Sequence, residues 1–173
     1  DITNYILMEM GQPMHAFDSR RVEKIRIKRY SKPFAFTTLD GTERNIDENT
    51  LMIANGDTPV AIAGIMGGLD SEIVEDTTTL TLESATFDAA SIRKSTVRLS
   101  HRTDASMRYE KCLDPEMTVP AIARFVKLLM DSSVNKRVLN DSSISMMTGS
   151  LQSWFNKVCQ QPFVEFSGDR KST

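Results

Sequence analysis

TLTLESATFDAASIRKSTVRL, residues Thr79 to Leu99, changes its period part-way along. The first six residues alternate as a strand does. Leu80, Leu82 and Ser84 share one face, and Thr79, Thr81 and Glu83 share the other. Beyond Phe87 the alternation stops. Asp88 is a natural N-cap, and the run to Leu99 suits a helix. Strand signals lie upstream of this switch and helix signals lie downstream. That order favours an α+β fold over a repeating βαβ one.

Upstream, Asp1 to Glu9 suggests a short helix with Thr3 or Asn4 as cap and Ile6, Leu7 and Met10 as its apolar face. Gly11 ends it and Pro13 forbids its continuation, which leaves His15 on a turn. IRIKRY (Ile25 to Tyr30) alternates as a strand. FTTLDGTERNI forms a hairpin with Asp40-Gly41 at its turn. LMIA (Leu51 to Ala54) and VAIAGI (Val60 to Ile65) suit buried strands, and MGGLDSE (Met66 to Glu72) suits a loop.

Downstream, His101 to Lys111 forms a second short helix with Thr103 as cap. Asp114-Pro115 opens a third, in which Ile122, Phe125, Val126 and Leu129 make one stripe. Pro120 kinks that helix or marks its true start. From Ser132 the texture turns to Ser and Asn. LQSWFNKVCQ, around Trp154, could form an amphipathic helix, and FVEFS a strand. The expectation is a mixed, largely antiparallel sheet with flanking helices over residues 1–131, and an unassigned tail over 132–173.

The chain has 173 residues, 40% hydrophobic and 25% charged, with a net charge of -2. That is a globular balance with no global basic field. Locally, Ser91 to Lys111 holds six basic residues against two acidic ones, a stripe suited to phosphate. Arg93, Lys94, Arg98 and Arg102 are its candidate RNA contacts. Two separated cysteines and ten methionines suit a reducing, intracellular setting. Two histidines and two cysteines make no persuasive zinc set. The chain opens DITNY, without an initiator methionine, and is expected to be part of something longer.

Four features could carry chemistry. His15 has the side chain most suited to moving a proton or holding a water, and a structural role is its alternative. Glu83 ends a strand just before a helix. AIAGIMGG (Ala61 to Gly68) lets a backbone or ligand approach closely. HRTDAS (His101 to Ser106) puts helix-start N–H groups beside Thr103, where anions and oxyanions are favoured.

Several of these stretches occur together, in order: DITNYILMEMGQPMHAFD, TTLDGTER, PVAIAGIMGG, LESATFDAASIRKS and RLSHRTDASMRYEKCLDPE. The set resembles the editing domain of the beta subunit of bacterial phenylalanyl-tRNA synthetases, over residues 1–131. The resemblance implies hydrolysis of the ester of mischarged tyrosyl-tRNA(Phe). It implies that His15 lies by the ester and helps position water, with Thr103 beside it. It implies that Glu83 reads the tyrosine hydroxyl, while Gly64, Gly67, Ala105 and Asn4 line or flank the amino-acid pocket. The implied partners are the acceptor end of tRNA(Phe), tyrosine or phenylalanine, and the synthetase alpha subunit, in the cytoplasm and away from membranes. The editing domain needs no cofactor. ATP and Mg serve the parent enzyme's aminoacylation site, which this chain does not contain. Two other readings stay open: a noncatalytic tRNA-binding module and a free-standing trans-editing deacylase.

Overall fold

The computed structural model describes residues 2–131. The tail with Trp154 and FVEFS lies outside the described residues. The chain divides into two units, Asp1–Ala121 and Ile122–Thr173.

The first unit has eight strands in three antiparallel groups. β1 (Met14–Asp18) pairs with β8 (Leu80–Ser84). β2 (Ile25–Lys28), β5 (Met52–Asn55), β6 (Thr58–Ile62) and β7 (Met66–Gly67) form a sheet in the order β2-β5-β6-β7. β3 (Phe34–Thr37) and β4 (Glu43–Ile46) form the expected hairpin around Asp40-Gly41, with Gly41 at φ 74. A bridge between Thr38 and Gly68 ties the hairpin to the end of β7. With helices α1 (Ile2–Met10), α2 (Ala89–Arg98), α3 (Asp104–Tyr109) and α4 (Thr118–Asp131), this is the α+β fold expected. One core joins Phe17, Ile46, Met52, Ile53, Ile62, Phe87, Ile92 and Tyr109.

Several local expectations need correction. Thr3 and Asn4 lie inside α1, which starts at Ile2, so neither caps it. His15 is not on a turn but on β1, whose pairing with β8, far later in the chain, no local signal announces. MGGLDSE is not all loop: Met66–Gly67 pairs with β6, and Leu69–Ser71 forms a 3-10 turn. Asp114 and Pro115 open a 3-10 turn, Pro115–Met117, rather than the helix itself. α4 follows at Thr118 with Pro120 in its first turn, where a missing N–H costs nothing. In its stripe Phe125 and Val126 are buried, and Ile122 and Leu129 partly so.

The caps of α2 and α3 were legible. The Asp88 carboxylate accepts from the Ser91 N–H at 2.8 Å. Thr103 and Ser106 form a reciprocal capping box: the Ser106 N–H donates to Thr103 Oγ1 at 3.2 Å and the Thr103 N–H donates to Ser106 Oγ at 2.9 Å.

Candidate functional site

The register of β1 on β8 sets His15 directly opposite Glu83. Partners opposed in an antiparallel pair project from the same face, their Cβ atoms about 5 Å apart. The strand therefore delivers an imidazole and a carboxyl to one place.

That place is a cavity of about 70 Å³. Its walls include Pro13 just before β1, His15 and Glu83 from the β1–β8 pair, and Ile53, Ala61, Ile62 and Gly67 from the larger sheet. Gly64 and Ile65 follow β6, Met66 lies on β7, and Ala105 and Tyr109 come from successive turns of α3. Five residues expected at the site converge here: His15, Glu83, Gly64, Gly67 and Ala105.

Three lining groups titrate: His15, Glu83 and Tyr109. Burial lowers the His15 pKa to about 4, so its ring is neutral at pH 7. Its Nε2 is buried and has no hydrogen-bond partner. The ring of Phe17 stands edge-on to it, centroids 4.5 Å apart. Burial also raises the Glu83 pKa to about 8, with no cation to oppose the shift. At pH 7 Glu83 is therefore mostly a neutral acid that can both donate and accept. The Tyr109 hydroxyl is held above its usual range by burial and by the nearby Glu83. It donates to the Pro13 carbonyl at 3.3 Å.

The two glycines act differently. A Cβ on Gly67 would stand 2.7 Å from both Cε1 and Nε2 of His15. Gly67 thus leaves the imidazole its room. Gly64 has φ 67, and a Cβ there would meet Phe87, Tyr109 and Ile92 at 3.0 to 3.1 Å. Its role is to turn the chain behind the pocket.

The start of β1 is held by Gln12, which is 1% exposed. Its Nε2 donates to the carbonyls of Ala85 at 2.9 Å and Pro13 at 3.1 Å. Met14 pairs with Ser84, so Pro13 would be next to face Ala85. Proline has no N–H to give. The Gln12 amide satisfies the Ala85 carbonyl at the place where the ladder must stop.

A model of the B3/4 domain matches residues 1–133 of the chain. The chain belongs to the B3/4 domain family. Among its relatives is the phenylalanine--tRNA ligase beta subunit of Clostridium acetobutylicum, 49% identical over 140 residues, covering 80% of this chain and 18% of the relative. The beta subunit of Clostridium tetani is 48% identical over 131 residues, 75% of this chain and 17% of the relative. That of Syntrophus aciditrophicus is 48% identical over 138 residues, 79% and 17%. The chain thus spans less than a fifth of the length of these relatives. The likeness to synthetase beta subunits is borne out.

Other expected residues of this B3/4 domain lie outside the cavity wall. Asn4 is exposed on α1. Thr103 caps α3 and donates its hydroxyl proton to the Ile65 carbonyl at 2.9 Å, which anchors the helix carrying Ala105 to the chain after β6. Of the basic stripe, Arg98 pairs with Asp47 and Arg102 with Glu110, while Arg93 and Lys94 are exposed. Gln12 and Tyr109 were not singled out from sequence. Tyr109 had a signal, since it stands four residues after Ala105 on the same helix face. Among the described residues no group of His, Cys, Asp and Glu could hold a metal, and no helix is long and apolar enough to cross a membrane.

Proposed function

We propose that this B3/4 domain hydrolyses the ester of tRNA(Phe) mischarged with tyrosine, as the editing part of a phenylalanyl-tRNA synthetase beta subunit. The observation that carries this reading is the His15–Glu83 cross-strand pair in one buried pocket. An apolar slot alone would admit phenylalanine and destroy the correct product. A polar group at the ring's far end supplies the missing discrimination. Sites that hydrogen-bond a substrate hydroxyl reject the analogue without it by about 10^4 to 10^5. Glu83 supports this role because it is buried with no cation beside it. A tyrosine hydroxyl would give it a partner, and a phenyl ring would leave the buried acid unsatisfied, at a cost of several kcal/mol, the range that gives factors of about 10^4. Met14 and Met66 line the cavity, and unbranched side chains of this kind let it widen around a ring.

His15 serves as the water-holding group. Its partnerless Nε2 is suited to a hydrogen bond with a water or with the substrate. A pKa of about 4 makes it a weak base at pH 7, so it orients rather than deprotonates. An aminoacyl ester is reactive enough for positioning to suffice. Thr103 acts at one remove by fixing α3. The acceptor end of tRNA(Phe) is the substrate, the alpha subunit the partner within the synthetase, and the cytoplasm the setting.

The test is single-turnover deacylation of tyrosyl-tRNA(Phe) by this chain and by H15A. The reading expects hydrolysis above the spontaneous rate, reduced at least tenfold in H15A. Full activity in H15A would remove His15 from the mechanism.

A further inference from the structure

Residues Arg20 to Lys32 hold seven basic side chains and a single acid, Glu23. The segment contains β2, an edge strand of the larger sheet. Four of the cations are committed. Arg20 bridges Asp18 and Asp76, and Arg21 donates to the Asp70 carbonyl. Lys28 pairs with Asp57 at 2.5 Å and lies over the Tyr30 ring. Arg29 donates to the Asn49 carbonyl and to Ser91 Oγ. The side chains of Lys24, Arg26 and Lys32 are exposed and form no hydrogen bond or ion pair with any described residue.

Lys24 lies in the bend just before β2. Arg26 and Lys28 are two residues apart on β2, so they project from one side of the strand about 6.7 Å apart. Ile27, between them, is 46% exposed. Arg29 carries the band across to α2, where it and exposed Lys94 both act on Asp88. The stripe on α2 and α3, by contrast, has Arg98 and Arg102 already bound to carboxylates.

We propose that this edge is a docking track for the sugar–phosphate backbone of RNA, with Lys24, Arg26 and Lys32 as its contacts and Lys94 as its continuation. The choice of RNA rests on the editing reading above. The charge argument is independent of it: Arg26 on the unpaired edge strand, whose only partner is its longer-range attraction to exposed Asp57, and the exposed Lys24 and Lys32 in the bends on either side of that strand suit a polyanion.

The test is binding of uncharged tRNA(Phe) to the whole chain by fluorescence anisotropy between 25 and 200 mM salt, roughly the range over which phosphate contacts show. Each phosphate contact contributes about 0.7 to 0.9 to the slope of log K against log salt. K24Q/R26Q/K32Q should therefore flatten the slope by about 2 and weaken binding at least tenfold at the lowest salt. K111Q/K127Q, which removes lysines elsewhere, should keep the original slope. An unchanged slope in the triple variant overturns the proposal. So does self-association of that variant with RNA binding intact, which would make these cations guards of the sheet edge. Binding to anionic phospholipid vesicles but not to tRNA overturns it too. Deacylation separates the two readings. A flattened slope in a chain that does not hydrolyse tyrosyl-tRNA leaves the track standing and sinks the editing. Hydrolysis with an unchanged slope does the reverse.

Discussion

Glu83 makes the stability of this domain fall as pH rises above neutral. In the fold its pKa is about 8 rather than 4.5, because burial disfavours the carboxylate. Between those values the folded state holds a proton that the unfolded state has released. Stability therefore declines with rising pH from the unfolded value until the folded one is passed. Each unit of separation corresponds to about 1.36 kcal/mol, so the stretch from pH 6.5 to 9 removes about 2 kcal/mol. His15 works in the opposite sense and lower down. Its folded pKa, about 4 against 6.5, makes stability fall as pH drops through that interval. The two slopes oppose one another from pH 4.5 to 6.5, which leaves the alkaline limb to Glu83. The assay is urea unfolding of the chain and of E83Q at pH 6.5, 7.5, 8.5 and 9. The original protein should lose about 2 kcal/mol across the series relative to E83Q, which keeps the shape and cannot ionise. Parallel pH profiles for the two proteins would refute the account of Glu83 as an uncompensated buried acid.

Two further substitutions probe the supports of the pocket. G67A places a methyl 2.7 Å from the His15 ring, so it should cost about 1–3 kcal/mol by denaturant unfolding and, by pushing the imidazole aside, slow deacylation by about 10^2. Unchanged turnover in a folded G67A would mean that the ring's position does not matter. Q12A strips the Ala85 carbonyl of its donor and should cost about 1–3 kcal/mol, with a loss of amide protection at the β1–β8 junction seen by hydrogen exchange. Protection equal to that of the original protein would contradict this role of Gln12.

Elements set by nearby residues were legible in the sequence, and elements set by distant ones were not. The hairpin at Asp40-Gly41, the Asp88 cap and the Thr103 capping box each depend on side chains within a few positions. β1 does not. MHAFD alternates poorly, and only its union with β8 makes it a strand. The Gly-Gln-Pro turn before His15 suggested a turn residue, yet it ends one helix and opens that strand. Alternation put Glu83 on the face opposite Leu80 and Leu82 without saying that this face is the buried one, and its meeting with His15 lies in a register that no local pattern encodes. The basic stripe shows the opposite failure. Its charges were evident, and the carboxylates that bind Arg98 and Arg102 come from Asp47, far away in the chain, and from Glu110 on the next helix turn region. The segment from Arg20 to Lys32 is also basic, but its place on a strand edge becomes visible only when the sheet order is known.

The central claim is that one pocket hydrolyses the ester and that Glu83 makes it selective. The most direct measurement is the ratio of kcat/KM for tyrosyl-tRNA(Phe) over phenylalanyl-tRNA(Phe), taken for the chain and for E83A. The account predicts a ratio on the order of 10^4 that collapses to within about tenfold of unity in E83A, with hydrolysis itself retained. An E83A ratio equal to that of the original chain would contradict it.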